Sequence, residues 1–313
     1  MKKKSSQFDK FKPKKSNAAI KEQFKQEKRK SKKEREDFFI QKKKEERAAR
    51  PGDNYAEKAP LIPPPAHPRP ENTGEMPLNK FIAHAGISGR REAAELVKKG
   101  IVKVNGKVVT EPGHKVTNKD EIKVNNKKIF LAKNLVYILL NKPKDYITTT
   151  DDPQNRKTVL DIIGKATPER VYPVGRLDRN TSGVLLLTND GELAQKLTHP
   201  KNEIKKVYAV TLNKPLEKND FEKILNGVTL EDGIASVDVL AYADMKDKTQ
   251  VGVEIHSGRN RIVRRIFEAL GYDVKNLDRV IFAGLTKKNV ERGKWRFLTE
   301  KEVRDLKHFG KGK

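Results

Sequence analysis

Residues 1–75 cannot form a core, and this sets where folding can begin. Residues 1–50 carry 20 Lys and Arg against 8 Asp and Glu. Their few apolar side chains (Phe8, Phe11, Ile20, Phe24, Phe38, Phe39 and Ile40) hold no regular period. Such a segment buries too little surface to offset its chain entropy. Residues 21–47 combine helix-forming side chains with mixed charge, so at most a lone solvated helix is expected there. Pro51, Pro60, Pro63, Pro64, Pro65, Pro68 and Pro70 follow within 25 residues and read as an extended linker. Residues 1–75 are therefore expected to be a disordered basic tail and Pro-rich linker. The tail can serve as a solubilising arm, or as an electrostatic arm that raises affinity for a polyanion without reading sequence.

The remaining length of the 313-residue chain suits two ordered domains. Lys and Arg number 68 against 42 Asp and Glu, a net charge of +26, which favours nucleic acid as the partner. With no cysteine, disulfide frameworks, thiolate metal sites and cysteine nucleophiles are excluded. No apolar run approaches the roughly 18 residues of a membrane span. The lysine-rich start has no apolar centre and does not read as a secretory signal. A soluble cytoplasmic protein without membrane contact is expected. The six histidines are scattered, and there is neither a paired-His motif nor a Gly-rich phosphate loop. No metal and no cofactor are expected.

Order is expected from Met76, with a small domain over 76–134. Leu78, Phe81, Ile82 and Ala85 fall at helical spacing and Gly86 ends the run. Ser88 reads as the cap of a second helix over 89–99, with Ala93, Leu96 and Val97 on its inner face and Gly100 as its stop. Asn105-Gly106 between two short Val-rich runs is the strongest hairpin signal in the chain. Another strand is expected around 120–124.

A larger domain is expected over 135–300, followed by a basic C-terminal tail over 301–313. Residues 135–140 and 184–188 are apolar runs suited to buried strands. Residues 206–212 and 251–255 alternate as half-buried strands do, residues 171–174 read as a further strand, and 159–163 as a short helix or strand. Helices are expected over 191–198 and 262–270. Strands that outnumber helices without strict alternation give an α+β class with a mostly antiparallel sheet. Between two of these strands runs Gly175-Arg176-Leu177-Asp178-Arg179-Asn180-Thr181-Ser182-Gly183. A charged loop anchored to a buried sheet is a good place for a site, because the scaffold fixes it. Asp178 lies between Arg176 and Arg179, and a carboxylate near cations stays ionised, as a nucleophile must. Read alone, an Asp in such a loop is more often a turn residue.

Two stretches carry family resemblances. "LNKFIAHAGISGRREAAELVKKGIVKVNGKVV" resembles the S-four RNA-binding domain. This implies that Ser88, Arg90, Arg91 and Lys99 face structured RNA. "VGRLDRNTSGVLLLTNDGELAQKLTHP" closely resembles the signature of RNA pseudouridine synthases, in the branch that groups the ribosomal small-subunit synthase A and large-subunit synthase B. The likeness runs from about residue 76 to about 298, so the chain reads as an RNA-binding domain followed by a synthase catalytic domain. It implies Asp178 as the catalytic aspartate. Tyr208, in "KKVYAV", matches the tyrosine that packs on the target base. Arg264, in "GRNRIVRRIFEALG", matches the arginine that pairs with the aspartate, and Leu277, in "NLDR", resembles the hydrophobic residue that lines the base pocket. Arg176, Arg179, Arg259, Arg261 and Arg265 are candidate RNA contacts. The branch has Glu-Gly-Arg-Asn-Arg-Gln before its arginine pair. This chain has Ser257 and Ile262 at the first and last of those positions, which leaves the triad of Asp178, Tyr208 and Arg264 intact and the exact RNA contacts of that loop open.

The implied reaction moves uracil from its nitrogen link to ribose onto a carbon link through C5. It is redox-neutral and needs no cofactor. Asp178 could add to the base, attack C1′ of the ribose or remove a proton at C2′, and the sequence does not choose among these. The favoured partner is ribosomal RNA, with 23S ahead of 16S and transfer RNA, handled by a monomer. Competing readings are a non-catalytic RNA-binding or ribosome-assembly protein, and a nuclease. The nuclease would need clustered carboxylates for metal ions, and Asp151-Asp152 is poor support for that.

Overall fold

The computed structural model describes residues 67–68, 74–132, 134–164 and 166–309. The basic tail and the lone helix expected before residue 67 lie outside the described residues. One piece of the expected linker is ordered: His67–Pro68 pairs antiparallel with Asn134–Leu135.

The small domain closes around its own core. Leu78, Phe81 and Ile82 of the Leu78–His84 helix meet Ala93 and Val97 of the Arg90–Lys98 helix. Gly86 ends the first helix at φ +78°, a conformation that suits glycine. Gly89, not Ser88, caps the second helix, and its amide donates to Glu92 Oε2 at 3.4 Å. Val102–Val104 and Lys107–Val108 form the expected hairpin, with Asn105 and Gly106 both at positive φ as a type I′ turn demands. Ile122–Val124 and Lys127–Lys128 complete a four-stranded sheet.

The large domain is built on one sheet. Its strands run in the order Val239–Tyr242, Gln250–Ile255, Lys206–Leu212, Val274–Phe282, Thr181–Thr188, Tyr137–Lys142, Trp295–Phe297. Every pairing along this path is antiparallel except Thr181–Thr188 with Val274–Phe282, which is parallel. The Tyr137–Lys142 and Thr181–Thr188 strands are buried along their whole length. The period of two explains this. Ile138, Leu140, Leu185 and Leu187 join one core, while Tyr137, Leu139, Val184 and Leu186 join another on the opposite face. The helices Val159–Ile163, Lys218–Asn226 and Ile262–Glu268 contribute to the first core, and Gly191–Thr198 and Glu300–His308 to the second. Residues 301–309, expected as a basic tail, are therefore part of this domain: Val303 and Leu306 are 3% and 1% exposed. Lys80 of the small domain reaches Glu192 of the large one at 3.3 Å.

Candidate active site

The site begins with how the 175–180 loop is held. Gly175 turns the chain at φ +75°. Leu177 plugs into the core at 6% exposure, and its carbonyl accepts from Thr148 Oγ1 at 2.8 Å. The Thr181 amide donates to the Asp178 carbonyl at 3.0 Å. From behind comes Lys142, fully buried at the end of its strand, whose Nζ donates to the carbonyls of Pro143, Arg179 and Thr181 at 2.9, 3.1 and 2.8 Å. Burial pushes this ammonium down to about 8, while Asp145 and Asp178 favour its charged form. Three carbonyls on one buried cation tie the loop to the sheet, leaving the Asp178 carboxylate free to face outward.

The cleft that Asp178 faces has a volume of about 620 Å³, within the range of small-molecule and nucleotide sites. The parallel strand pair forms its floor. Gly183 permits that pairing: a Cβ there would lie 2.6 Å from the Arg279 amide nitrogen and closer still to its carbonyl oxygen. The register sets Thr181 beside Leu277, and both residues line the cleft. Tyr208 comes in from the neighbouring strand, at an irregularity in the register between Val207 and Tyr208. Such irregularities re-aim side chains beside sites. Tyr208 and Leu277 are 9% and 4% exposed and give the cleft an aromatic and an aliphatic wall.

Two arginines approach from the start of the Ile262–Glu268 helix. Arg261, whose backbone is left-handed at φ +46°, brings Nη1 to 4.0 Å from Asp178 Oδ2. Arg264 is 8% exposed and donates to the carbonyls of Val274 and Asn180 at 2.8 and 3.2 Å. Burial and the nearby Arg261 disfavour its charge, and Asp178 favours it. Arg264 thus grips the backbone of the Asp178 loop and acts on the carboxylate through the field, while Arg261 stands nearer to the carboxylate itself.

The other residues expected from sequence are scattered more widely. Arg176 lies exposed on the cleft rim. Arg179 points to Asp145 at 3.3 Å. Arg259 and Arg265 both meet Asp232, at 3.0 and 2.6 Å, and the Arg265 hydrogen bond, followed by the charges of both arginines, holds that carboxyl below the usual range. Arg259 also donates to the carbonyls of Gly233 and Ile234. These two arginines fasten the Val228–Leu230/Gly233–Ala235 hairpin to the cleft wall. Arg90, Arg91 and Lys99 are exposed on the small domain, whereas Ser88 is 3% exposed with its hydroxyl on the Gly89 carbonyl. Ser257 Oγ accepts from the Arg259 amide at 3.4 Å, and Ile262 is buried.

Sequence reasoning passed over Lys142 and Arg279. The signal for each was a cation inside an apolar run, "YILLNK" and "NLDRVIF". It also passed over Lys206, which lines the same cleft. The Lys206 ammonium donates to the Ile204 and His256 carbonyls and is pushed down to about 8 by burial and, secondarily, by Arg279.

A sheet of this order, with an aspartate loop at its parallel centre and a small helix-and-hairpin domain ahead of it in the chain, defines a class, and comparison with known proteins identifies it. The family model of RNA pseudouridylate synthase matches residues 136–269, and that of the S4 domain matches residues 76–122. The chain belongs to the RNA pseudouridine synthase family, so it is an isomerase acting on RNA, with an S4 domain ahead of its catalytic domain. Among its relatives, it is 47% identical over 233 residues to the ribosomal large subunit pseudouridine synthase B of Bacillus subtilis (strain 168), spanning 74% of this chain and 95% of that protein. It is 35% identical over 237 residues to the dual-specificity RNA pseudouridine synthase RluF of Escherichia coli (strain K12), spanning 73% and 77%. A crystal structure of a pseudouridylate synthase matches with a TM-score of 0.54 at 29% identity, covering 74% of this chain and 99% of the other.

Proposed function

We propose that this protein converts a uridine of large-subunit (23S) ribosomal RNA to pseudouridine, with Asp178 as the catalytic carboxylate. The observation that carries this reading is the meeting of Asp178, Tyr208 and Leu277 in one cleft with arginines on its wall. The 47% identity to a synthase named for the large ribosomal subunit supports the choice of RNA. In the reaction the bond from N1 to C1′ breaks and a bond from C5 to C1′ forms. C5 gives up its proton and N1 gains one, so no oxidant, reductant or water is consumed.

Each residue type has a role in that scheme. The target uridine leaves its stack to enter the cleft, at a cost of a few kcal/mol. Packing of the base on the Tyr208 ring, worth about 1–3 kcal/mol in comparable settings, offsets part of this cost. Leu277 closes the other side of the base. Asp178 meets the sugar or the base with its charge supported by Arg261, and Arg264 keeps its loop in place. Arg90, Arg91 and Lys99 hold structured RNA at the small domain, and Arg176 grips the backbone at the rim. The enzyme works as a cytoplasmic monomer.

Mapping pseudouridine in ribosomal RNA from cells lacking the protein tests the proposal. One large-subunit position should lose its modification, regain it with the wild-type gene and fail to regain it with Asp178→Asn. An unchanged 23S map alongside a missing modification in 16S or transfer RNA would overturn the substrate assignment.

A further inference from the structure

Arg279 stands in the middle of the Val274–Phe282 strand and is 3% exposed. Burying a guanidinium costs several kcal/mol unless it is paired, and burial here depresses its ordinary basicity. Its Nε donates to the Val184 carbonyl at 2.8 Å, and the guanidinium carbon sits 4.5 Å from the centre of the Phe282 ring. Two further cleft residues stand near it: Lys206, whose charged form it disfavours, and Tyr208. Tyr208 and Arg279 are direct cross-strand partners and both line the cleft, so Tyr208 stands beside the Arg279 cation and favours its charge. Nη2 has no hydrogen-bond partner among the described residues. A guanidinium kept for strand architecture alone would have its donors on carbonyls, as Lys142 does with its three.

We propose that Arg279 is a positioning residue for Tyr208, fixing the phenolic oxygen from the sheet side so that the hydroxyl proton points into the cleft. A guanidinium that donates to the phenolic oxygen occupies one of its lone pairs and leaves the O–H to turn toward the substrate. The Val184 carbonyl and the Phe282 ring hold the guanidinium plane, so the hydroxyl direction is set before RNA arrives. This inference rests on the assignment of Tyr208 to the base pocket and adds a reason for its hydroxyl, which stacking alone does not use.

A double-mutant cycle of Arg279→Gln and Tyr208→Phe, read as the single-turnover rate at saturating RNA, tests it. Arg279→Gln should lower that rate about 10- to 100-fold, the size of a charge-assisted hydrogen bond, with RNA affinity within about threefold of wild type. In the Tyr208→Phe background the same substitution should change the rate by less than about twofold. Equal fold losses in both backgrounds, or a loss confined to affinity, overturn the proposal. Asp178→Asn in the same assay separates the failures: an active Asp178→Asn enzyme rejects the active-site assignment, whereas independent losses in the cycle reject only the role of Arg279. Tyrosine labelled with ¹³C at Cζ gives a readout that needs neither turnover nor the Gln variant to fold. Arg279→Lys should move the Tyr208 resonance, identified by its disappearance in Tyr208→Phe. A resonance that stays put overturns the proposal.

Discussion

Asp178 keeps its place through its neighbours' main-chain contacts, so its carboxylate can be altered without disturbing the loop. Lys142, Thr148 and Arg264 all hold carbonyls of residues 177–181 and not the Asp178 side chain. Asp178→Asn should therefore bind RNA within a few-fold of wild type and form no detectable pseudouridine by mass spectrometry of the product. Turnover near the wild-type rate would remove Asp178 from the chemistry. Tyr208 separates into a ring and a hydroxyl. Tyr208→Ala loses both, and base–aromatic contact is worth about 1–3 kcal/mol, so its kcat/KM should fall well below that of Tyr208→Phe. Equal kcat/KM for the two variants would contradict a stacking role. For Arg264 the planar fork matters, because it spans the Val274 and Asn180 carbonyls. Lysine keeps the charge without that geometry. Arg264→Lys should melt close to wild type and lose about 10-fold or more in kcat, the scale of one charged hydrogen bond. Full activity would assign Arg264 to generic electrostatics and leave orientation to Arg261.

Among the elements, those with unbroken local patterns were legible in the sequence. The Gly191–Thr198 helix and the Lys206–Leu212 strand match their expected ranges, because apolar period and cap agree. Val274–Phe282 was not legible: Lys275, Asp278 and Arg279 break its alternation, and only its neighbours in the sheet explain them. The parallel pairing that builds the cleft floor joins residues nearly a hundred positions apart, which no local signal encodes. Nor could spacing reveal that Arg259 and Arg265 share Asp232, or that Arg261 stands nearer to Asp178 than a carried-over pairing implies. The Glu300–His308 helix looked like a tail because two apolar residues, Val303 and Leu306, carry its burial. Its anchor is Glu302, whose carboxyl is drawn down to about 2, chiefly by the Arg296 guanidinium and also by the Thr299 amide. A carboxyl depressed on folding stabilises the fold above its unfolded value and loses that contribution as pH falls through the folded value. The Glu302 contribution is therefore complete above about 4.5 and disappears toward 2. Glu302→Gln should cost about 1.5–3 kcal/mol at neutral pH. Thermal melts should show the wild type and the variant converging as pH falls across that window. Parallel melting curves at every pH would remove the ion pair from the stability of this helix.

Across the whole molecule, charge is divided between the body and the segment ahead of it. Residues 1–62 hold 21 Lys and Arg and 10 Asp and Glu, so removing them leaves the body with a net charge of +15. The body thus keeps its own attraction for RNA, together with Asp178, Tyr208 and Arg264, the S4 domain and the His67–Pro68 pairing. Charge outside the cleft acts at long range and is screened over about 8 Å at physiological ionic strength. A chain that starts at Pro63 should therefore fold and turn over at a near-normal rate on saturating RNA. Its affinity should be weaker at low salt and converge on that of the full chain as salt rises. Every phosphate that residues 1–62 neutralise steepens the log–log salt dependence by about 0.7–0.9, so the shorter chain should show the flatter line. Binding titrations of both chains over a salt series, paired with single-turnover rates, check this. An unchanged slope would make residues 1–62 irrelevant to RNA affinity. A collapse of turnover at saturating RNA would mean that the segment belongs to the active site or to its folding, and the division drawn at the linker would be wrong.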